Sequence, residues 1–431
     1  MRQGLAGMVR DRLGQASFGT HVAKLMSGTV SVLALNLAIS PILTRLYSPK
    51  DFGVLSVFTA LVSALTVLTC MGFDRAIVLP KDDDDAAAVL GIALVSATGV
   101  TFVCAVTVWQ FGPRITTLFH ADALGPYLWL LPASLIGVAA YQALLQWAMR
   151  RQQYGLIAKT RVAQGLSQAI GQLGLGLALA GPVGLLIGDA LSRVSGATTF
   201  ASQSWSNEKS TFRRLRRERM KAVGARFKGF ATFSTLAALL HLSATALPPL
   251  LLATLYSTES SGFYNLGQKV IWVPMTVLSG AVAQVFIGEA AKAARDNRSK
   301  LSGLVAKTTR TLFWIGLGPM LLLSFVGGPL FAAVFGARWH EAGVYMQIIA
   351  ATQLIQFVVG PVFQVLNVLE RPRVILACDL LGFVCIVGGM WGAKAAGLSE
   401  RWAVAAYGLG TVILYGALYI TSVRAVKEHP L

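Results

Sequence analysis

Long apolar blocks, separated by short polar breaks, run along almost the whole of this chain. Each block holds about 20 residues or more, the length that a helix needs to cross roughly 30 Å of hydrocarbon. Of the 431 residues, 55% are hydrophobic and 13% are charged, whereas about 25% are charged in ordinary soluble domains. The pattern predicts an all-α integral membrane protein with about twelve spanning helices, at 20–44, 52–73, 86–110, 126–149, 158–180, 183–203, 229–255, 262–287, 305–335, 343–368, 374–396 and 402–423. Gly327, Gly328 and Pro329 predict a kink in the ninth of these helices.

A repeated segment divides the chain into two halves. Residues 46–53, after the first block, align with residues 255–262, after the seventh, and both begin Leu-Tyr-Ser and end in Gly. Residues 141–144, near the end of the fourth block, align in the same way with residues 363–366, near the end of the tenth. Because six is an even number, the two six-helix bundles share one orientation, which predicts a substrate path at their interface.

The repeat predicts five segments along the chain. They are a basic N-terminal segment at 1–19, a six-helix bundle at 20–204, a basic linker at 205–228, a second bundle at 229–423 and a tail at 424–431.

The distribution of basic residues predicts the orientation. With both termini in the cytoplasm, 25 of the 37 Lys and Arg residues fall in cytoplasmic segments and seven fall outside, as the positive-inside rule requires. A net charge of +18 also suits nucleic acid, but basic residues in short loops favour lipid head groups instead. The acidic run Asp82–Asp85 is interpreted as a solvated loop, since four adjacent carboxylates lack the geometry of a calcium site.

Amide side chains line up on one face of two predicted helices. Such a face either lines a wet cavity and binds sugar hydroxyls or joins helices by hydrogen bonds. We favour the cavity. The predicted sugar-facing residues are Gln164, Gln168, Gln172, Gln353, Gln356, Gln364 and Asn367.

Ionisable residues inside apolar blocks are costly and therefore mark candidate functional positions. The candidate cationic residues for an anionic head group are Arg161, Arg193, Lys269, Lys24 and Arg310. For Lys24, Lys269 and Arg310, snorkelling to the membrane surface is the alternative. Candidate ion-coupling residues are Asp189, Asp379 and His241, although Asp189 and Arg193 are also spaced for a local ion pair.

No cofactor or metal site is predicted. The four cysteines all lie in apolar blocks, where a free cysteine acts as a small hydrophobe. No phosphate-binding Gly-x-x-x-x-Gly-Lys-Ser/Thr motif is present, so a nucleotide-driven transporter is excluded.

The region 18–86, with its segments 42–53 and 76–83, resembles the N-terminal signature of bacterial polysaccharide-biosynthesis flippases. These are the O-antigen (Wzx-type) flippases of the multidrug/oligosaccharidyl-lipid/polysaccharide (MOP) exporter superfamily. A looser similarity extends over the whole chain. The resemblance implies two MATE-like bundles in the inner membrane that alternate access and flip an undecaprenyl-diphosphate-linked oligosaccharide to the periplasmic leaflet. It also implies polymerase or export machinery as partners.

Two other functions compete with this interpretation. A drug or small-cation exporter of the same superfamily would favour acidic residues in its N-terminal bundle, where Asp189 lies. A membrane enzyme acting on lipid-linked glycan would need a large external loop, but the longest predicted one is 111–124. We therefore expect a transporter and not an enzyme.

Overall fold

The computed structural model describes residues 28–179, 181–213, 217–296, 298–369 and 371–428. Every regular element within these ranges is a helix. The first seven α-helices are α1 (Gly28–Leu46), α2 (Pro49–Thr69), α3 (Phe73–Ala76), α4 (Asp83–Leu118), α5 (Leu130–Arg150), α6 (Tyr154–Ala178) and α7 (Val183–Arg213). The others are α8 (Arg217–Leu255), α9 (Thr258–Asp296), α10 (Arg298–Phe335), α11 (His340–Val362), α12 (Val365–Val368), α13 (Pro372–Ala395) and α14 (Glu400–Glu428), with 3₁₀ turns at Asp122–Tyr127 and Ala337–Trp339.

The helices α3 and α12 are short, and all the others are long. Each long helix corresponds to one of the spans predicted from the sequence. Within the described ranges, eight helices are long and apolar enough to cross a membrane. The other long helices are α6, α7, α8 and α9. Among their described residues, Ala246–Leu255 of α8 and Leu278–Ala290 of α9 form shorter apolar stretches.

Several helices run further than their apolar blocks. Helix α7 continues to Arg213 and α8 starts at Arg217, so the predicted linker 205–228 is helical on both sides of residues 214–216. Helix α4 passes through Pro113 and ends at Leu118. The carbonyl oxygen of Pro113 accepts hydrogen bonds from the hydroxyls of Thr116 and Thr117, at 3.0 and 2.8 Å. Helices therefore extend past the apolar region, and much of the predicted external loop 111–124 is helical.

Glycines in α10 serve packing. The helix is continuous from Arg298 to Phe335 through Pro319 and Pro329. Gly343 of α11 lies against the backbone of Gly327, and a Cβ atom at Gly343 would also approach the Cα of Gly328 to 2.7 Å. Small residues at this crossing allow the two helix backbones to approach closely.

The chain divides into two compact units. Unit 1 comprises the described residues up to Ile39, with Leu65–Gln110 and Tyr127–Thr235, and unit 2 comprises Ser40–Ala64, Phe111–Pro126 and Leu236–Leu431. In unit 1, α5 packs on α7, and the fully buried Trp147 lies in the core. In unit 2, α11 packs on α9, α10 and α14, and a second core forms around Val362 and Leu418.

The acidic run Asp82–Asp85 is not a solvated loop, and this prediction was wrong. Asp83 begins α4, and its carboxylate accepts hydrogen bonds from Arg150 and Arg151, both at 2.8 Å. Arg219, near the start of α8, pairs with Asp82, Asp84 and Asp85. The hydrogen bond to Asp85, with the charges of its neighbours, raises the pKa of the Arg219 guanidinium. Aspartates are also favoured at a helix start because they interact with the helix dipole.

The repeated segments fold alike. Helix α2 begins at Pro49 and α9 begins at Thr258, at equivalent points of the repeat. Before α2, the Ser48 backbone N–H donates to Asp51 Oδ2 at 2.8 Å, and the Asp51 backbone N–H donates to Ser48 Oγ at 3.2 Å. Before α9, the Ser260 backbone N–H donates to Ser257 Oγ at 3.1 Å. Both helices therefore start with a serine cap at the same repeat position.

Candidate functional site

The predicted amide face of α6 lies along α7 in unit 1. Gln172 is 1% exposed, and its amide nitrogen lies 3.5 Å from the carbonyl oxygen of Leu185. Gly188 packs on the side chain of Gln172, and Gly196 packs on that of Gln164. Gln172 is thus part of the helix–helix interface, whereas Gln164 and Gln168 are half-buried.

Asp189 and Arg193 form the local ion pair on α7. Arg193 Nε donates to Asp189 Oδ2 at 2.6 Å, and a second nitrogen lies 3.3 Å from Oδ1. Their side chains are 11% and 18% exposed, respectively. A bidentate pair in this environment compensates both charges and lowers the cost of carrying them inside the membrane.

Arg161 stacks on an aromatic ring in the same unit. Its guanidinium carbon lies 5.4 Å from the ring centroid of Tyr141 on α5. Tyr141 is buried, its ring packs on Phe200, and its hydroxyl has no hydrogen-bond partner among the described residues. A guanidinium held over a ring face keeps N–H groups that can donate to an anion. In the sequence analysis, Tyr141 appears only as the first residue of the repeated segment 141–144 and not as a candidate site residue.

Unit 2 contains a buried chain of amides and tyrosines that links α9, α11 and α14. Gln353, which is 1% exposed, donates to Gln268 Oε1 at 3.2 Å, and Gln268 donates to the Tyr264 hydroxyl at 2.7 Å. The rings of Tyr264 and Tyr407 meet edge to face at 5.6 Å. Gln353 thus has a hydrogen-bond partner, Gln268, inside unit 2. The sequence feature that indicates this series of hydrogen bonds is the spacing of Tyr264 and Gln268, which lie one helical turn apart.

A second polar contact in unit 2 joins α11 to α14. Gln356, half-buried on α11, donates to the hydroxyl of Tyr415 at 3.1 Å. Asp379 is buried on α13. Tyr415 is a residue that sequence analysis did not single out.

The remaining predicted residues are more dispersed. Lys269 is half-buried beside Gln268, and Arg310 is exposed on α10. Asn367 of the short α12 donates to Gln364 Oε1 at 2.7 Å. Lys24 lies outside the described residues, as does the side chain of His241. Among the described residues no cluster of His, Cys, Asp or Glu fits a metal ion.

Solved membrane transporters share this fold. A multidrug resistance MATE family transporter of the MOP superfamily, in an inward-facing conformation, superposes with a TM-score of 0.74 at 13% identity, over 93% of this chain and 96% of that one. The lipid II flippase MurJ, in an inward closed conformation, also gives a TM-score of 0.74 at 10% identity, over 92% of this chain and 87% of MurJ. The chain therefore has the all-α, MATE-like fold predicted from its sequence and is a multi-pass membrane protein.

Two curated relatives are similar in sequence. The succinoglycan biosynthesis transport protein ExoT of Rhizobium meliloti (strain 1021) is 22% identical over 73% of this chain, and the match spans 61% of ExoT. The lipopolysaccharide biosynthesis protein WzxC of Escherichia coli (strain K12) is 21% identical over 80% of this chain and 68% of WzxC. Residues 42–344, well over half of the chain, match the family described as "Polysaccharide biosynthesis protein". The predicted resemblance is confirmed, and this chain belongs to the polysaccharide biosynthesis protein family.

Proposed function

We propose that this protein is a flippase that carries an undecaprenyl-diphosphate-linked oligosaccharide from the cytoplasmic to the periplasmic leaflet, for surface polysaccharide synthesis. The family match over 42–344 carries the proposal. It is supported by relatives named for succinoglycan transport and lipopolysaccharide biosynthesis. The protein acts as a transporter and has no enzymatic activity of its own.

The proposed location is the bacterial inner membrane, with both termini in the cytoplasm. The asymmetric distribution of Lys and Arg supports this orientation. A polymerase or export complex that receives the flipped glycan is the proposed partner. The six-helix halves are proposed to alternate access around a path between them.

Cationic side chains are proposed to bind the diphosphate. Arg161 is the strongest candidate because it is half-buried, whereas Arg193 is already paired with Asp189. Lys269 is also half-buried and remains a candidate. Arg161 is further suited because its guanidinium lies over the Tyr141 ring and its N–H groups can donate to phosphate oxygens. Lys24 and Arg310 remain proposed secondary contacts.

Half-buried amides are proposed to contact the sugar, and buried acids to couple transport to an ion. The amide candidates that keep some exposed surface are Gln164, Gln168, Gln356, Gln364 and Asn367. Asp379 and Asp189 are both buried and both remain proposed ion-coupling candidates, and Asp189 is paired with Arg193. His241 stays a candidate from its position in α8 alone.

The function is tested by deleting the gene and identifying the glycan that accumulates on the cytoplasmic leaflet. Loss of surface polysaccharide, with a lipid-linked precursor retained inside, is the expected result. Normal surface glycan in the deletion strain would rule out the flippase.

The diphosphate role is tested by complementation. At equal expression, Arg161→Ala is expected to reduce export at least tenfold because one charge-assisted contact is lost. Arg114→Ala is the matched control, since Arg114 also stacks on an aromatic ring, that of Phe111 at 5.8 Å, but lies in the exposed end of α4. Full export by Arg161→Ala and Lys269→Ala would remove both residues from the site.

A drug or small-cation exporter is the second candidate function, and the MATE likeness supports it. It predicts that deletion sensitises cells to cationic compounds while surface glycan stays normal. The precursor assay therefore separates the two functions.

A further inference from the structure

The basic residues of α10 are gathered at one end of the helix. All of them lie between Arg298 and Arg310, and the helix contains no acidic residue. Lys307 and Arg310 are exposed. They share one face with the exposed Trp314, because residues three, four or seven positions apart line up along a helix. We refer to Lys307, Arg310 and Trp314 as the basic face of α10.

The opposite face of α10 packs into unit 2. Leu301, Val305 and Leu312 are buried, and the helix packs on α9, α11 and α14. The basic face therefore points away from the core of the unit.

Beyond Trp314, the outward side of α10 is apolar. Leu321 and Phe325 lie on it and are both exposed, with 78% of Phe325 accessible. An exposed apolar face on a helix of this length is typical of contact with the hydrocarbon of a membrane. A water-filled path would not favour such side chains. The basic face and the apolar face thus follow one another along the same outward side.

The length of α10 places the basic face at the level of the lipid head groups. Trp314 lies 21 positions before Phe335, the last residue of the helix, which is about 32 Å at 1.5 Å per residue. The hydrocarbon layer is roughly 30 Å thick, and tryptophan is favoured at its boundary. Phe313 packs edge to face on Trp314 at 5.6 Å. Lys307 and Arg310 then lie one and two turns outside the boundary.

The two cations lack an acidic partner among the described residues. Elsewhere in unit 2, Arg371 pairs with Glu428 at 3.2 Å and Arg401 pairs with Glu341 at 2.6 Å. Lys307 and Arg310 form no such pair within the described part of the chain. Like charges one helical turn apart destabilise a helix, so an anion bound by both residues would stabilise α10. The positive-inside rule counts basic residues, but it does not require them to share a face.

We propose that the basic face of α10 binds the head group of an anionic phospholipid in the cytoplasmic leaflet. Lys307 and Arg310 donate to the phosphate, Trp314 lies at the boundary, and the acyl chains run along Leu321 and Phe325. The choice of leaflet rests on the proposed orientation. The site itself does not depend on which substrate is carried.

Binding of lipid probes to the purified full-length protein in detergent tests the site. Fluorescent short-chain phosphatidylglycerol is expected to bind about tenfold tighter than phosphatidylcholine with the same chains, and added salt is expected to weaken it. Lys307→Gln with Arg310→Gln is expected to lower the affinity for phosphatidylglycerol about tenfold or more, since each basic residue contributes several-fold. Equal affinity of the wild type for the two lipids would overturn the proposal.

A matched double variant separates a site from overall charge. Lys159→Gln with Arg373→Gln also removes one exposed lysine and one exposed arginine, from α6 and α13. Its affinity for phosphatidylglycerol is expected to stay within about twofold of the wild type, because these residues lie on two different helices. Equal losses in the two double variants would mean that only net charge matters, and the site would be overturned.

Two other occupants of the basic face are distinguished in the same preparation. Undecaprenyl diphosphate is the second probe, because Arg310 is also a secondary candidate for the diphosphate. Binding of this probe without binding of phosphatidylglycerol would assign the face to the proposed substrate. A detergent-stable dimer that the Lys307→Gln, Arg310→Gln variant fails to form, with no lipid bound, would assign it to a second copy of the chain. Either result overturns the phospholipid site. Export is not measured, so a failure of the proposed function would leave these results unchanged.

Discussion

At the scale of single residues, two arginines of unit 1 are accommodated in different ways. Asp189 and Arg193 are four residues apart on α7 and bond at 2.6 Å. Arg161 is held differently, over the ring of Tyr141. A paired arginine contributes to the stability of its helix, whereas a stacked arginine keeps donors for a ligand. The two arginines, alike in sequence analysis, therefore have different proposed weights in substrate binding.

The Asp189–Arg193 pair yields a stability prediction. Asp189→Asn leaves the largely buried Arg193 uncompensated, and we expect a loss of about 3 kcal/mol in the free energy of unfolding. The double variant Asp189→Leu with Arg193→Met removes both charges and is expected to unfold close to the wild type. Thermal and denaturant unfolding in detergent measures both. A fully stable Asp189→Asn protein would mean that Arg193 has another compensating partner.

At the scale of helices, small residues set how closely neighbouring elements approach. Gly343 of α11 lies on the backbone of α10 at Gly327, while Gly188 of α7 lies on Gln172 of α6. These crossings occur within each unit and involve helices that follow each other in the chain. Close approach is an expected source of stability in membranes, where dispersion and interhelical hydrogen bonds replace the hydrophobic effect.

Adding one methyl group at the α10–α11 crossing tests whether close packing there stabilises the protein. Gly343→Ala is expected to destabilise the protein by about 1–3 kcal/mol because the added atom meets backbone that cannot rotate away. Gly318→Ala, on the open side of α10, is expected to be neutral or to stabilise by up to about 1 kcal/mol through helix propensity. Melting temperatures of the purified variants give the comparison. Equal melting temperatures would contradict the role assigned to Gly343.

Sequence reasoning located the long helices well and their polar contacts less well. Apolar length is a property of each segment, so α2, α11 and α13 lie close to their predicted positions. The burial of Gln353 depends on Gln268, which is 85 residues away, and no local pattern specifies that partner. The Asp82–Asp85 run was misread for the same reason, since Arg219 lies on a different helix.

At the scale of the whole molecule, the order of the helices and the charge of the loops define one proposed topology. The connections after α2 and α5 and the start of α8 meet in one ion-pair cluster in unit 1. An even number of long helices separates these three places, so they belong on one membrane side. The cluster therefore supports the parity of the topology independently of hydropathy.

Reporter fusions test the direction of that topology. Alkaline phosphatase, active only outside the cytoplasm, is expected to be active when fused after Gly397, between α13 and α14, and inactive when fused after Leu431. A fluorescent protein that folds only in the cytoplasm should give the reverse pattern. Phosphatase activity at Leu431 would invert the proposed orientation and, with it, the direction of transport.

The ion-pair cluster also has a consequence for biosynthesis. During synthesis, Asp83 can pair with Arg150 only after 67 more residues have been added. Asp85 can pair with Arg219 only after 134 more residues have been added. At about 5–20 residues per second of synthesis, the second interval is on the order of ten seconds. The acidic start of α4 is therefore only partly paired, through Asp83 with Arg150 and Arg151, until α8 begins to emerge. The cluster can be complete only after the first six long helices have been synthesised.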